Sequence, residues 1–327
     1  MKILDTGTHV VMGIALCSLA TLDNNIIINE ATTSAVFCGI MFGSQAPDID
    51  TILKLKNNAI YIKNHRGITH SIIAQLAWPI LIASVLKIIF LEAPFSSIWF
   101  WSQLAVSLHI LVDLFNAYGT QALRPFSKKW IAFGIINTFD PIIFILHIIG
   151  IIFVTIGFHA GITFIYIYFL LAIYYIIRIA FHFLLKNIIK KNYTDAKNIV
   201  LIPTIRFFKF KFAFITNHSY YVGQFERLNL IIVDKYPYEP LPSEKIMLAA
   251  QSNHNIQAFL SFSPIYRWVI TEDTNQIELR FIDLRYRRNN HYPFVAVITF
   301  DSELNILNSY TGWIFSEKKL QKKLIIT

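Results

Sequence analysis

Residues 72–115 read IIAQLAWPILIASVLKIIFLEAPFSSIWFWSQLAVSLHILVDLF, two apolar segments joined by a short loop. The segments Ile72–Leu91 and Ile98–Phe115 each approach the length of about 20 apolar residues that a membrane-crossing helix needs. The loop between them contains Glu92 but no Lys or Arg. The stretch therefore predicts a hairpin of two membrane helices.

Four further apolar segments flank this hairpin. Pro141–Phe158 and Ile162–Leu185 are long enough to span a bilayer, whereas Val10–Leu22 and Ala31–Gly43 are shorter. The short pair predicts either tilted spans or a re-entrant pair. Residues 1–190 are thus expected to form an all-α membrane bundle of about six segments.

Composition separates this region from the rest of the chain. Of 327 residues, 55% are hydrophobic and 15% charged, with a mean hydropathy of +0.50, whereas soluble domains carry about 25% charged residues. Residues 1–194 hold only 8 of the 20 acids. The other 12 lie in the remaining 133 residues, which have the charge content of an ordinary soluble domain. Both cysteines, Cys17 and Cys38, lie inside apolar runs, which does not support a disulfide framework.

Residues 191–327 predict a small, mainly antiparallel β domain in the cytoplasm. Its expected strands are rich in β-branched and aromatic residues. The basic cluster Arg285, Arg287 and Arg288 is interpreted as a solvated strand end. The expected strands lie at Leu228–Asp234, Ile277–Leu284, Phe294–Phe300 and within Ile199–Ile215.

Basic residues fix the expected orientation. Residues 24–30, 92–97 and 159–161 contain no Lys or Arg, whereas eleven basic residues lie in the opposite loops and ends. The positive-inside rule then places both termini in the cytoplasm. Because the net charge of +9 largely follows from this asymmetry, no nucleic-acid partner is expected. The expected partners are the lipid bilayer and a membrane-associated substrate.

Several ionisable residues fall at the predicted cytoplasmic boundary of these segments. Such residues are costly near lipid and usually face a cavity or a partner. His109 and Asp113 are spaced i, i+4 on one helix face. Imidazole and carboxylate together suit zinc, and manganese or iron are the other possible divalent metals. The site could hold two or more metals, or one metal whose ligands are surrounded by further polar groups. The candidate metal ligands are His9, Asp48, Asp50, His65, His70, His109, Asp113 and Asp140.

Several of these residues also have a simpler interpretation when taken alone. His109 alone predicts a hydrogen-bonded helix histidine, and Asp48 with Asp50 a loop after a helix. Asp140 before Pro141 is typical of a helix N-cap with proline at N1. Their joint occurrence at one membrane face favours a shared site over these interpretations or a metal-free ion-pair network.

The order of these motifs resembles the YbcI/YdjM-type family of bacterial inner-membrane metal-dependent hydrolases. The resemblance implies a multi-pass protein of the bacterial inner membrane that hydrolyses a substrate. The His/Asp pattern is also similar, at the level of fold analogy, to zinc-dependent phospholipases C. The motifs that carry the resemblance are Thr8-His9, Pro47-Asp48-x-Asp50, His65-Arg66-x-x-Thr69-His70-Ser71, His109-x-x-x-Asp113, Tyr118-Gly119-Thr120 and Asp140-Pro141.

The leading hypothesis is a membrane-bound metal-dependent hydrolase acting on a phosphoester of a membrane-associated lipid at the cytoplasmic face. Arg66 and Thr69 are the candidate catalytic residues, and the guanidinium of Arg66 matches a phosphate geometrically. A metal-ion or proton-coupled transporter is the alternative, although the ionisable groups lie at one face and no inverted repeat is evident. A membrane scaffold for the β domain is the third hypothesis.

Overall fold

The structure, a computed structural model, describes residues 2–55, 57–273 and 276–326. It divides the chain into two compact units that interleave along the sequence. The first unit runs to Asp50 and then comprises Arg66–Phe183 and Pro203–Phe207. The second unit comprises Thr51–His65, Leu184–Ile202 and the chain from Phe208 onward.

Helices dominate the chain up to residue 192. Polar residues begin several of them: the side chains of Asn29 and Ser71 accept hydrogen bonds from the backbone N–H three residues on, at 2.7 and 3.2 Å. Such N-caps satisfy amides that have no partner inside the helix. The helices are α1 (Lys2–Ala20), α2 (Glu30–Gln45), α3 (Asn58–Asn64), α4 (Ile72–Ile89), α5 (Phe95–Phe115), α6 (Pro141–Thr155) and α7 (Ala160–Asn192).

Three helices of the described chain, α4, α5 and α7, are long and apolar enough to cross a membrane. Residues 6–20 of α1 and the whole of α6 are apolar but shorter. The prediction of about six membrane segments is therefore not supported, although a helix forms at each of the six positions. With 16 residues in α2 and 15 in α6, these helices extend only about 24 and 22 Å, less than the bilayer core of about 30 Å.

The outward surface of the long spans is apolar. On α4, for example, Leu76 is 57% and Ile88 is 76% exposed. Large apolar side chains in contact with water are unfavourable, and a contiguous surface of them indicates lipid contact. The helical part of the chain is thus built as a membrane protein.

Helices α2 and α5 approach closely because two glycines on α2 face α5. A Cβ at Gly39 would lie 2.6 Å from the Ser102 hydroxyl, and one at Gly43 would lie 2.9 Å from the Ser102 backbone oxygen. Their i, i+4 spacing is the small-residue pattern that lets membrane helices pack backbone to backbone. The motif that follows α2 is thereby placed beside α5.

We expect Gly43→Leu to lower the free energy of unfolding by at least about 3 kcal/mol, the upper end of the usual overpacking range. The added side chain would meet backbone atoms of α5, which cannot rotate away. Phe42→Leu, at an exposed position on the same helix, is the control and should change stability little. Thermal unfolding in detergent measures both. Equal stability of the two variants would show that α2 and α5 are not in close contact.

A buried arginine on α7 forms hydrogen bonds to two stretches of the first unit that are distant in sequence. Arg178 donates from Nε and Nη2 to the backbone oxygen of Ile135, at 3.1 and 2.9 Å, and from Nη1 to that of Phe207 at 2.7 Å. Its guanidinium also lies over the Phe207 ring. These contacts explain why Pro203–Phe207, although it follows α7 in sequence, belongs to the first unit.

The second unit contains two four-stranded sheets, ordered β1-β2-β3-β4 and β5-β6-β7-β8. The pairings from β2 to β4 and from β5 to β8 are antiparallel, as the sequence predicts. The strands are β1 (Lys197–Pro203), β2 (Lys209–Ile215), β3 (Ser219–Glu226), β4 (Asn229–Pro237), β5 (Tyr266–Asp273), β6 (Gln276–Asp283), β7 (Phe294–Phe300) and β8 (Ile306–Trp313).

Helices cover the second sheet and its surroundings. They are α8 (Glu244–Ser252), α9 (His254–Phe262) and α10 (Glu317–Ile326). The short helix α3, which precedes α4 in the chain, packs against α9 and β8. Asn58 of α3 donates to the Tyr310 hydroxyl at 3.3 Å, and Ile62 joins the apolar core around Phe259. The second unit therefore incorporates a segment from between α2 and α4.

Arg285 is buried, so the prediction of a solvated strand end is wrong for this residue. Its guanidinium donates to both carboxylate oxygens of Asp283, with the shortest distance 2.7 Å, and to the backbone oxygen of Phe262 at 3.0 Å. It also lies 4.7 Å from the ring centroids of Phe262 and Tyr286. Apolar rings on both sides and a bidentate carboxylate make burial of the charge possible.

Asp283→Asn is expected to lower the free energy of unfolding of the second unit by about 3–5 kcal/mol, because it leaves a buried guanidinium without its counter-charge. Glu226→Gln removes the carboxylate of an exposed pair, in which Lys209 lies 2.9 Å away, and should cost no more than about 1 kcal/mol. Denaturant unfolding followed by tryptophan fluorescence measures both. Similar losses in the two variants would contradict the burial of Arg285.

Candidate metal centre

The site is organised around Asp113, a fully buried carboxylate near the end of α5. His109 lies one turn earlier, and its Nε2 is 3.5 Å from Asp113 Oδ2. The i, i+4 spacing on one helix places both groups on the same face. A buried carboxylate on a membrane-spanning helix is unfavourable unless other groups compensate its charge.

Two further residues reach this carboxylate from outside α5. Asp48 lies in the 3₁₀ stretch Ala46–Leu55 that follows α2, and His70 ends a 3₁₀ turn just before α4. His70 Nε2 is 3.1 Å from Asp113 Oδ2 and 3.7 Å from Asp48 Oδ1. His109 Nε2 is 3.8 Å from the same oxygen of Asp48. Three separate parts of the chain therefore meet here.

These four side chains, Asp48, His70, His109 and Asp113, each offer one donor atom, and all four atoms lie within 4.8 Å of one another. The four distances given above span 3.1–3.8 Å. Donors that surround zinc tetrahedrally at about 2.0–2.1 Å are separated by about 3.3–3.4 Å. The spacing and the donor types therefore fit a four-coordinate divalent metal, and we call this group the Asp48–Asp113 cluster.

Several polar atoms in and beside the cluster lack hydrogen-bond partners in the described chain. They include Asp48 Oδ1, His109 Nε2 and both ring nitrogens of the adjacent His9. A buried polar atom without a partner costs about 1–3 kcal/mol, so such atoms in a native site need an explanation. A cation bound among them would satisfy Asp48 and His109 together.

The two imidazoles of the cluster are held with Nε2 towards its centre. His109 Nδ1 is 2.7 Å from the backbone oxygen of Ser44. Because a carbonyl oxygen only accepts, Nδ1 must donate, so Nε2 is the nitrogen that a metal would bind in the neutral ring. His70 Nδ1 is 3.1 Å from the Thr69 hydroxyl, which itself donates to Asp50 Oδ2 at 2.6 Å. Partners of this kind orient metal-binding histidines.

The charge states of His70 and Asp48 suit a bound cation. Burial lowers the pKa of His70 below its usual value of 6.5, so its imidazole is neutral at pH 7. Burial alone would raise the pKa of Asp48, but interactions with His109 and with the guanidinium of Arg66 lower it below the usual range. A neutral imidazole and an ionised carboxylate are the forms that bind metals.

The second oxygen of Asp113 faces a different set of groups. Arg66 Nη2 lies 3.0 Å from Oδ1, and Asn116 Nδ2 donates to it at 3.3 Å. His9 Nε2 is 3.6 Å away, and the His9 ring stacks on His109 with centroids 3.7 Å apart. Arg66 is buried and has a positive φ of 58°. Asp113 thus contacts His70 and His109 through Oδ2 and the cationic Arg66 through Oδ1.

The remaining predicted residues have other contacts. Asp50 Oδ2 accepts from the Arg66 backbone N–H at 2.8 Å as well as from Thr69. Asp140 caps α6, where Oδ1 accepts from the Ile142 N–H at 3.0 Å, and its Oδ2 accepts from the Tyr174 hydroxyl at 2.7 Å.

His65 belongs to the second compact unit, where its ring stacks on Tyr61 with centroids 4.6 Å apart.

Two groups near the site do not stand out in the sequence. Asn116 accepts from the backbone N–H groups of Tyr118 and Gly119, at 2.8 and 2.9 Å, while it donates to Asp113. Its position three residues after Asp113 is the only sequence signal for it. The oxygen of Ser44 that orients His109 is a backbone atom, and no side-chain pattern could indicate it.

Comparisons with known proteins agree with this architecture. The model of the YdjM inner membrane protein family matches residues 4–185, which confirms the family that the motifs predict. Models of the YfhP middle domain and the YfhP C-terminal alpha/beta plait domain match residues 194–236 and 245–324.

The chain is 50% identical, over 322 residues and 98% of each protein, to "Uncharacterized protein YfhP" of Bacillus subtilis (strain 168). No solved structure matches. The chain belongs to the YdjM inner membrane protein family.

Proposed function

We propose that the chain is a membrane-bound, metal-dependent hydrolase that cleaves a phosphoester of a membrane lipid at the cytoplasmic face. The observation that carries this proposal is the Asp48–Asp113 cluster, a set of two imidazoles and two carboxylates with zinc-like spacing at the end of a membrane span, of which all but the partly exposed Asp48 are buried. Membership of an inner-membrane protein family supports the location.

The residues present supply the parts that such a reaction needs. Asp48 and Asp113 carry the negative charge that balances a divalent cation, and His70 and His109 complete a four-ligand set. A bound zinc would polarise the phosphoryl oxygen and lower the pKa of a bound water towards about 7. Arg66, which pairs with Asp113, would bind a non-bridging phosphate oxygen and counter its charge.

A lipid is the substrate that this location favours. His109 and Asp113 lie on α5, which is long and apolar enough to span the bilayer. The outward faces of the spans remain apolar, so the surrounding medium of the helices is lipid. A phosphate group at the membrane surface would reach the cluster while the rest of the molecule stays in the bilayer.

The proposal is tested with the full chain reconstituted in phosphatidylcholine vesicles that contain phosphatidic acid. We expect phosphate release that stops when a chelator removes the metal and returns when zinc is added, with manganese and iron as comparison metals. Stoichiometric metal binding without chelator-sensitive cleavage of phosphatidic acid, of other phospholipids or of polyprenyl phosphates would refute the hydrolase. Zinc or proton flux across the same vesicles would support the transporter instead.

The proposed orientation predicts that both termini lie in the cytoplasm, because the basic residues concentrate on one side of the helices. A reporter fused after residue 327 should show cytoplasmic activity, and so should one inserted between residues 54 and 63. A reporter placed in residues 92–97 should report the opposite side. A periplasmic signal from either of the first two fusions would overturn this topology.

A further inference from the structure

We infer that a cavity among α1, α5, α6 and α7 receives an ester-linked acyl chain of the lipid whose phosphoester is cleaved at the Asp48–Asp113 cluster. The inference rests on the proposed function and names the part of the substrate that lies in the membrane. The cavity belongs entirely to the first unit and has a volume of about 340 Å³. Ligand pockets in proteins typically measure about 300–1,000 Å³.

The cavity wall is almost wholly apolar. Aliphatic and aromatic side chains supply it, among them Val112, Phe115 and Leu171. Hydrocarbon is the ligand chemistry that such a wall accommodates, because it offers apolar contact and few hydrogen bonds. A polar metabolite would lose its hydration here without compensation.

The rim of the cavity lies on lipid-facing surface. Leu111 on α5 and Ile176 on α7 both line it, and they are 50% and 65% exposed. Both belong to helices long and apolar enough to span the membrane. A lipid tail can therefore enter sideways from the bilayer, without passing through water.

The cavity adjoins the candidate metal centre. Met12 and Leu108 line it and also line the small gap that His9 and His109 border. Leu108 and Val112 directly precede His109 and Asp113 on α5. The turn of α5 that offers the ligands thus forms part of the cavity wall, so a tail held here places its head group beside the cluster.

The hydroxyls of Tyr168 and Tyr175 in the lining favour an ester-linked acyl chain over a plain hydrocarbon tail. Tyr168 and Tyr175 hydroxyls and His147 Nε2 are buried and have no hydrogen-bond partner in the described chain. His147 Nδ1 is 2.7 Å from the Ile143 backbone oxygen, so it donates and Nε2 can only accept. The two phenol hydroxyls are donors, and an ester carbonyl would accept from them.

Photolabelling tests the inference without requiring turnover. The full chain is reconstituted in phosphatidylcholine with a trace of phosphatidic acid that carries a diazirine in one acyl chain. After irradiation, adducts should concentrate at cavity residues such as Leu111 and Ile176. Excess dioleoyl phosphatidic acid should reduce them about tenfold, whereas the same excess of a polyprenyl phosphate should not.

Ala172→Trp fills the cavity and should reduce these adducts about tenfold, because a bound chain and the indole cannot share the space. Leu111→Trp, at the rim, should give the same loss. Ala77→Trp is the matched control, since Ala77 is exposed on α4 and lies outside the cavity lining. Size-exclusion profiles and metal content identify any variant that fails to fold.

Labelling of the cavity equal to that of Leu76 and Ile80 on α4, or competition by polyprenyl phosphate as strong as by phosphatidic acid, would overturn the inference. Specific labelling without phosphate release would support the cavity and refute only the hydrolase. Phosphate release without specific labelling would refute only the cavity. The two proposals can therefore fail separately.

Discussion

Asp113→Asn is expected to lower the affinity of the chain for zinc by more than about 100-fold, since changes even to partners behind a metal ligand cost about 10–100-fold. The asparagine keeps the size of the side chain but removes the charge that faces His70 and His109. Phosphoester cleavage should fall with the metal. Isothermal titration of the metal-free chain and the phosphate-release assay measure both effects.

The same substitution should also lower the free energy of unfolding by about 3–5 kcal/mol, because the buried guanidinium of Arg66 would face a neutral amide. Adding Arg66→Gln removes that buried charge and should restore part of the lost stability. It should restore neither metal binding nor cleavage. Recovery of stability without recovery of metal binding would distinguish a metal site from a purely structural ion pair.

Asp140→Asn is the matched control for this prediction. It makes the same chemical change at a carboxylate that caps α6 and accepts from Tyr174, and asparagine caps helices about as well as aspartate. Metal affinity should therefore stay near that of the unmodified chain. Equal loss of metal in Asp140→Asn and Asp113→Asn would contradict the assignment of Asp113 as a ligand.

The second large effect is expected from Thr69→Val, which should lower zinc affinity by about 10–100-fold. Valine keeps the shape of threonine but breaks the contacts that run from His70 through the Thr69 hydroxyl to Asp50. His70 would then lose the partner that fixes its tautomer and ring orientation. On this account Thr69 positions His70, whereas the sequence predicts it as a catalytic residue.

Thr69→Ser separates these two roles. It retains the hydroxyl and should keep most of the metal affinity, whereas Thr69→Val should not. At saturating zinc the two variants should cleave phosphatidic acid at similar rates. Normal zinc affinity in Thr69→Val together with a lower turnover number would instead show that the hydroxyl takes part in the reaction.

The sequence could predict the centre of the site because ionisable residues are rare in membrane helices. Asp113 stands among apolar neighbours on α5, so its side chain had to face a partner. The histidine one turn earlier and the two motifs before α4 then indicated one shared site. Sequence spacing could not show that Asp140 uses both of its oxygens in a helix cap and a tyrosine contact, since Tyr174 lies on another helix.

The fold was predictable only in part. Hydropathy located the helices, but it could not show that α2 and α6 are only 16 and 15 residues long, shorter than the bilayer core of about 30 Å. Segments rich in β-branched and aromatic residues indicated the strands. The place of α3 in the second unit depends on contacts between Asn58 and Tyr310, 252 positions apart. The burial of Arg285 depends on rings and a carboxylate that only the folded chain assembles.

Zinc X-ray absorption of the full chain, purified and reconstituted in lipid, tests the central claim most directly. The account predicts about one zinc per chain, with nitrogen and oxygen ligands at about 2.0–2.2 Å. Two of those ligands should be imidazoles, from His70 and His109. A chain that binds no stoichiometric metal, or one whose metal has only water oxygens around it, would contradict the account.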